Sequence, residues 1–340
     1  MTQLRTIASA ARYHPAVVLV TASIVGVLVG LAIVATGPVA GVAPPDAVVR
    51  FGVPIGHVLI DMAAVITVGL CLLPILLGSG RPASARPVLA AARRAAMASS
   101  LVWAVAALVT LVLQTAELRQ VSTVSPAAIA GYVSSVGAGK ALVLVAVLAL
   151  ISFGLALASV RLGETVPAEL RASVALFALL PLPVTGHATG WRWHDLTMVA
   201  MELHVLAAAA WAGGLGALVV LLAANRTLLV TALQRFSKLA ALCLLAVAAT
   251  GLFNATVELL LAPGRNLPAA LFGTRYGVLV LLKLTCVGAL AVLGGNIRWR
   301  LLPAVVRHQR TALVRWAGFE LAVLGLAFGF AVVLTRAPIS

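Results

Sequence analysis

The sequence predicts an all-α polytopic membrane protein of about nine transmembrane helices, with the N-terminus in the cytoplasm and the C-terminus outside. Three observations carry this. Of the 340 residues, 62% are hydrophobic and only 10% are charged, whereas soluble domains carry about 25% charge. Apolar runs of about 20 residues, enough to cross about 30 Å of hydrocarbon, recur along the whole chain. Basic residues crowd alternate connections between those runs.

The runs lie near 15–36, 52–77, 95–118, 139–160, 171–187, 195–223, 238–261, 276–297 and 312–335. Lipid offers the backbone no hydrogen-bond partners, so each is expected as a helix. The first has an apolar stretch of about 20 residues, longer than a signal-peptide core. Pro44 directly follows the small residues Gly41 to Ala43. It reads as a retained anchor. The fifth is short and contains Pro181 and Pro183, which predicts a kinked or tilted crossing.

Charge fixes the expected orientation. Arg5, Arg12, Arg81, Arg86, Arg93, Arg94, Arg161, Arg171, Arg226, Arg235, Lys238, Arg298, Arg300, Arg307, Arg310 and Arg315 fall in one set of connections, 16 in all. The other set holds 7: Arg50, Arg119, Lys140, Arg192, Arg265, Arg275 and Arg336. Positive residues stay cytoplasmic. The net charge of +15 thus records topology, and no nucleic-acid partner is implied. Cys71, Cys243 and Cys286 all lie in predicted helices, without a CxxC, and read as core packing.

A duplication organises the chain. "HVLIDMAAVITVG" (57–69) corresponds to "HVLAAAAWAGGLG" (204–216), and "PAAIAG" (126–131) to "PAALFG" (268–273). The expected organisation is an N-terminal anchor helix and loop over 1–51, then two tandem parallel four-helix repeats over 52–190 and 191–340. Sites in such proteins tend to lie between the halves.

Polar residues then acquire depth. His57 and Asp61 sit four apart on one face of the second helix, in its outer half. The stretch "HDLTMVAMELHVLAAAAWAGG" (194–214) opens the sixth helix with two histidines, two methionines and two acids. His194, Met198, Met201 and His204 span an arc of about 120° on it, and His204 lies about 14 Å deep at 1.5 Å per residue. His187 ends the fifth run on the same side. Glu117, Glu258 and Lys283 lie near the same ends of their helices, and Glu320 is the main exception. Intramembrane ionisable residues cost about 2.5–3.5 kcal/mol each, so such a group implies a shared polar interior or an ion. Imidazole with thioether suits copper, Met favouring Cu(I). The candidate metal ligands are therefore His57, Asp61, His187, His194, Met198, Met201 and His204, with Asp61 suited to orienting a ring. Trp211, Gly213 and Gly214 suit close helix packing beneath His204. No Walker, nucleophile-elbow, HExxH or dinucleotide motif occurs, so nothing points to an enzyme.

"HVLAAAAWAGGLGALVVL" (204–221), "RFSKLAALCLLAVAATGLFNA" (235–255), "TRYGVLVLLKL" (274–284) and "TGHA" (185–188) resemble the copper resistance D (CopD/PcoD) family. The resemblance is good over about 185–300 and weaker over the first repeat. It implies a cytoplasmic-membrane protein that moves copper, usually by uptake from the periplasmic side, with His187 and His204 functional. Trp211, Gly213, Gly214, Tyr276 and Lys283 are its motif positions. The chain resembles the first half of actinobacterial fusions to a cytochrome c oxidase assembly module. A periplasmic copper chaperone or that module are the partners this implies, beside copper and the lipid bilayer. No CopC-type domain is attached, and methionine is scarce, at five residues. Two alternatives stand beside copper handling. One is a b-type haem electron carrier with His57 and His204 as paired axial ligands. The other is a non-catalytic membrane scaffold.

Overall fold

A computed structural model describes residues 2–34, 46–80, 82–185, 194–260, 267–296 and 310–335, without the side chains of 2–14, 185, 194, 258–260, 267 and 310–315. Its elements in chain order are α1 (Thr2–Val34), α2 (Ala47–Leu77), α3 (Ala85–Arg119), α4 (Pro126–Ser135), α5 (Gly137–Leu162) and α6 (Ala168–Phe177). After them come α7 (His194–Leu222), α8 (Arg226–Leu260), α9 (Leu267–Gly273), α10 (Arg275–Asn296) and α11 (Arg310–Leu334). Among the described residues no strand occurs. Eight helices are long and apolar enough to cross a membrane: α1, α2, α3, α5, α7, α8, α10 and α11. The chain is a multi-pass membrane protein.

Local chemistry sets the element ends. The Asp46 side chain accepts from the Val48 amide at 3.2 Å and starts α2. Ser125 accepts from the Ala128 amide at 3.2 Å, with Pro126 at the first helical position of α4. Gly78 ends α2 at φ +79°, a left-handed conformation that glycine adopts without strain.

The ninth predicted crossing, 171–187, is not a continuous helix. α6 stops at Phe177, a turn follows, and a 3-10 helix covers Leu182–Thr185. The cause is steric. Pro181 has no amide hydrogen, and its ring would clash with the carbonyl four residues back, on Phe177 itself. The segment still runs the length of α5. Arg171 Nη1 lies 3.5 Å from Ser159 Oγ near one end of α5. A Cβ on Gly137, the first residue of α5, would meet Val184 at 3.6 Å. Pro181, Leu182 and Pro183 are buried, so the unwound backbone is covered by protein. Irregular backbone at membrane depth requires that cover.

Lipid-facing surfaces are apolar, as a bilayer demands. On α3 the exposed residues Leu101, Val102, Val105, Leu108, Val109 and Val112 recur at helical spacing. A soluble helix would carry polar side chains on that face. The opposite face holds Trp103, Ala104, Ala107 and Leu111, all buried. α2 is the central helix, with 72% of its apolar window enclosed, against 17% for α8.

Small residues and short polar bridges hold the helices together, as expected where lipid removes the hydrophobic drive for association. Gly69 of α2 and Gly213 of α7 bring two backbones into contact. A Cβ on Gly69 would stand 2.7 Å from Gly213 Cα. Gly26 and Gly30 of α1 oppose Gly325 and Gly329 of α11 as paired small-xxx-small motifs. Thr67 and Ser99 share a hydrogen bond of 2.8 Å between α2 and α3. Ser23 of α1 donates to Met62 Sδ of α2 at 3.4 Å.

One end of the bundle gathers arginine. Arg93 Nη2 is 3.7 Å from Glu164, and Arg235 Nη1 donates to the Leu76 carbonyl at 3.4 Å beside Gly78. This is the basic end. His57 and His204 belong to the other half, each ten residues into a helix that starts at the opposite end.

Candidate metal site at the histidine end

His57 is half-buried on α2. Gln114 of α3 lies with its Nε2 at 2.9 Å from the ring Nε2. Tyr132 of α4 donates to Gln114 Oε1 at 3.0 Å. That bond turns the amide nitrogen toward the ring, so the amide donates and His57 Nε2 accepts. The short helix α4 thus fastens His57 through one intermediary. Asp61, one turn deeper and half-buried, has no hydrogen-bond or ion-pair partner among the described residues. The ring-orienting role expected of Asp61 is taken by Gln114.

His204 is held differently. Its Nδ1 lies 3.0 Å from Thr250 Oγ1 on α8. The Thr250 hydroxyl donates its proton to the Ala246 carbonyl at 2.5 Å, so toward the ring it accepts. Nδ1 therefore carries the ring hydrogen, and Nε2 keeps the lone pair a metal would use. Gly251 leaves room for this ring, because a Cβ there would meet His204 Cε1 at 3.2 Å. Lys283 of α10 is near enough for its charge to act on the imidazole.

One turn beyond Thr250, Asn254 is 6% exposed, and neither of its amide atoms has a partner among the described residues. Buried amides are rarely left so. Met198 and Met201 are half-buried on α7, Met201 three residues from His204. The side chain of His194 and the whole of His187 lie outside the described residues, as does the Glu258 side chain. Among the described residues no three His, Cys, Asp or Glu side chains form a metal-sized group. The two rings are engaged on different helices, His57 on α3 and His204 on α8.

Gln114, Tyr132, Thr250, Gly251 and Asn254 escaped the sequence reading. A signal existed for two of them. Thr250 and Asn254 are four apart in the otherwise apolar "VAATGLFNA", which places both on one helix face.

The family model "Copper resistance protein D-like, N-terminal domain" matches residues 45–193. The model "Copper resistance protein D" matches residues 230–334. The chain belongs to the copper resistance D family. The two ranges run from α2 through α6 and from α8 through α11. They leave 194–229, nearly all of it α7, between them. As a member of this family the chain is a copper-related membrane protein. No curated protein and no solved structure matches it.

Proposed function

We propose that the chain takes up copper at the histidine end of the bundle and moves or delivers it across the cytoplasmic membrane. The observation that carries this reading is the arrangement at His204. Thr250 fixes the tautomer and leaves Nε2 as a ligating atom, and the buried amide of Asn254 stands one turn away with its polar atoms unsatisfied. A neutral imidazole with its second nitrogen hydrogen-bonded is the usual state of a metal-bound histidine. Met201 and Met198, on the same stretch of α7, add soft donors suited to Cu(I). The excess of arginine at the other end sets the histidine end outside, by the positive-inside rule. His57, Asp61, His187 and His194 complete the candidate ligands, the two repeats supplying one imidazole each at matched depth. A periplasmic copper chaperone would hand copper to this end, and an oxidase-assembly module would receive it.

A haem-carrying role is disfavoured by a particular contact. It needs an axial nitrogen on both rings, and His57 Nε2 already accepts from Gln114.

The test is a Cu(I) titration of purified protein against a chromogenic chelator, paired with cell-associated copper in a strain lacking the chain. Wild-type protein binds Cu(I) and restores copper content, and His204→Ala does neither. Wild-type behaviour of His204→Ala and His57→Ala in both assays would sink the reading. A Soret band in the purified protein would return haem to consideration.

A further inference from the structure

On α7, His204 and Trp211 are seven residues apart, two helical turns, and share one face. Leu215 and Leu218 continue that stripe. It faces α8, where Asn254, Thr250, Val247, Leu244, Ala240 and Ser237 recur at three- and four-residue spacing. Toward the basic end the two stripes part around a cavity of about 360 Å³, walled also by α10 and α11. The cavity reaches Leu229 near the start of α8 and Gly295 near the end of α10. Both of these lie at the basic end. Its head is formed by Trp211 and Glu320.

Glu320 is the buried acid that the histidine-end site does not use. It is 3% exposed, and its Oε1 accepts from Trp211 Nε1 at 2.9 Å. It forms no ion pair among the described residues. A carboxylate taken out of water without a positive partner is unstable. This one must hold either a proton or a cation. No other wall residue titrates. Asp61 and Cys71 on α2, His204 on α7, Cys243 on α8, and Lys283 and Cys286 on α10 stand outside the wall, and the described part of α1 carries no ionisable side chain.

A second geometric fact directs the route. The seam between α2 and α7 is closed by the backbone contact of Gly69 with Gly213. The space that continues from His204 toward the basic end therefore lies within the second repeat, between α7, α8, α10 and α11.

We propose that Glu320 is a cation–proton exchange site on a path inside the second repeat. As a monovalent cation arrives from the His204 level, the Glu320 carboxylic acid releases its proton through the cavity to water at the basic end. The carboxylate pairs with the cation, so the charge in the cavity is unchanged. When the cation leaves toward the basic end, a proton returns from the same side. No electron moves, and the only covalent change is the O–H bond broken and remade on Glu320. A carboxylate is a hard partner for Cu(I) and holds it weakly, which suits a station that must be vacated. This inference rests on the copper-handling reading.

The experiment uses the full chain in lipid nanodiscs under anaerobic conditions, titrated with Cu(I) in the presence of a pH indicator dye. Copper flux into proteoliposomes is measured in parallel. Wild-type protein releases about one proton per copper bound at this second station. Binding at the neutral His204 ring releases none. Glu320→Gln keeps the high-affinity binding step, releases no proton, and loses flux. Trp211→Phe, which removes only the hydrogen bond to the acid, keeps both and moves the pH midpoint of flux. Proton release and flux unchanged in Glu320→Gln overturn the exchange site. If that variant does not fold, an unmoved midpoint in Trp211→Phe overturns it instead. A failure of His204→Ala to lose Cu(I) binding would count against the copper reading, and the two results separate the claims.

Discussion

Replacing Gly69 by alanine adds one methyl group where α2 and α7 touch. The new Cβ would sit 2.7 Å from Gly213 Cα, and the Gly213 carbonyl is closer still. An ordinary carbon–carbon contact needs about 3.5–4.0 Å, so the helices must separate by about 1 Å. A gap of that size forfeits a quarter to a half of the dispersion energy of each facing atom pair. Overpacking of this kind costs about 1–3 kcal/mol, against a helix-propensity gain for Gly→Ala of about 1 kcal/mol. The expected net effect is a loss of about 1–2 kcal/mol. Gly216 is the control: a Cβ there meets nothing within 4 Å, so Gly216→Ala gains the propensity term alone. Reversible unfolding in mixed detergent micelles, followed by tryptophan fluorescence, reads both variants. Equal midpoints for Gly69→Ala and wild type, or a larger loss at Gly216, would refute the backbone contact.

Two further outcomes follow from contacts described above. Thr250→Val removes the acceptor for His204 Nδ1 and should weaken Cu(I) binding about tenfold in the chelator competition, while Thr250→Ser restores it. An unchanged affinity would mean that the threonine does not set the ring. Gly329→Leu places a side chain against the Ser23 and Gly26 backbone and should lower the unfolding midpoint by about 1–3 kcal/mol. The same change at Gly318, which has open space, should not.

Much of the architecture was legible because lipid imposes simple rules. Hydropathy located every long helix, and the two prolines located the one crossing that breaks. The pairing of small residues was harder. The repeat alignment matches Gly69 with Gly216, yet the structure seats Gly69 on Gly213, because helix rotation rather than sequence register decides which glycine meets the seam. The site was legible only as a depth. That His57 and His204 lie at one level follows from counting residues. Which neighbour holds each ring does not, since Gln114 and Thr250 are single polar residues in long apolar windows, and their partners depend on how α3 and α8 are turned. His187 and the His194 side chain lie outside the described residues.

The break between Phe177 and Thr185 bears on mechanics. A continuous helix carries bending and torsion along its ladder of backbone bonds. Here that ladder ends midway, so the covalent link between the two halves behaves as a compliant tether rather than a stiff strut. The relative tilt of the halves is then governed by side-by-side packing, foremost at the α2–α7 seam, and one half can rock without dragging the other through the chain.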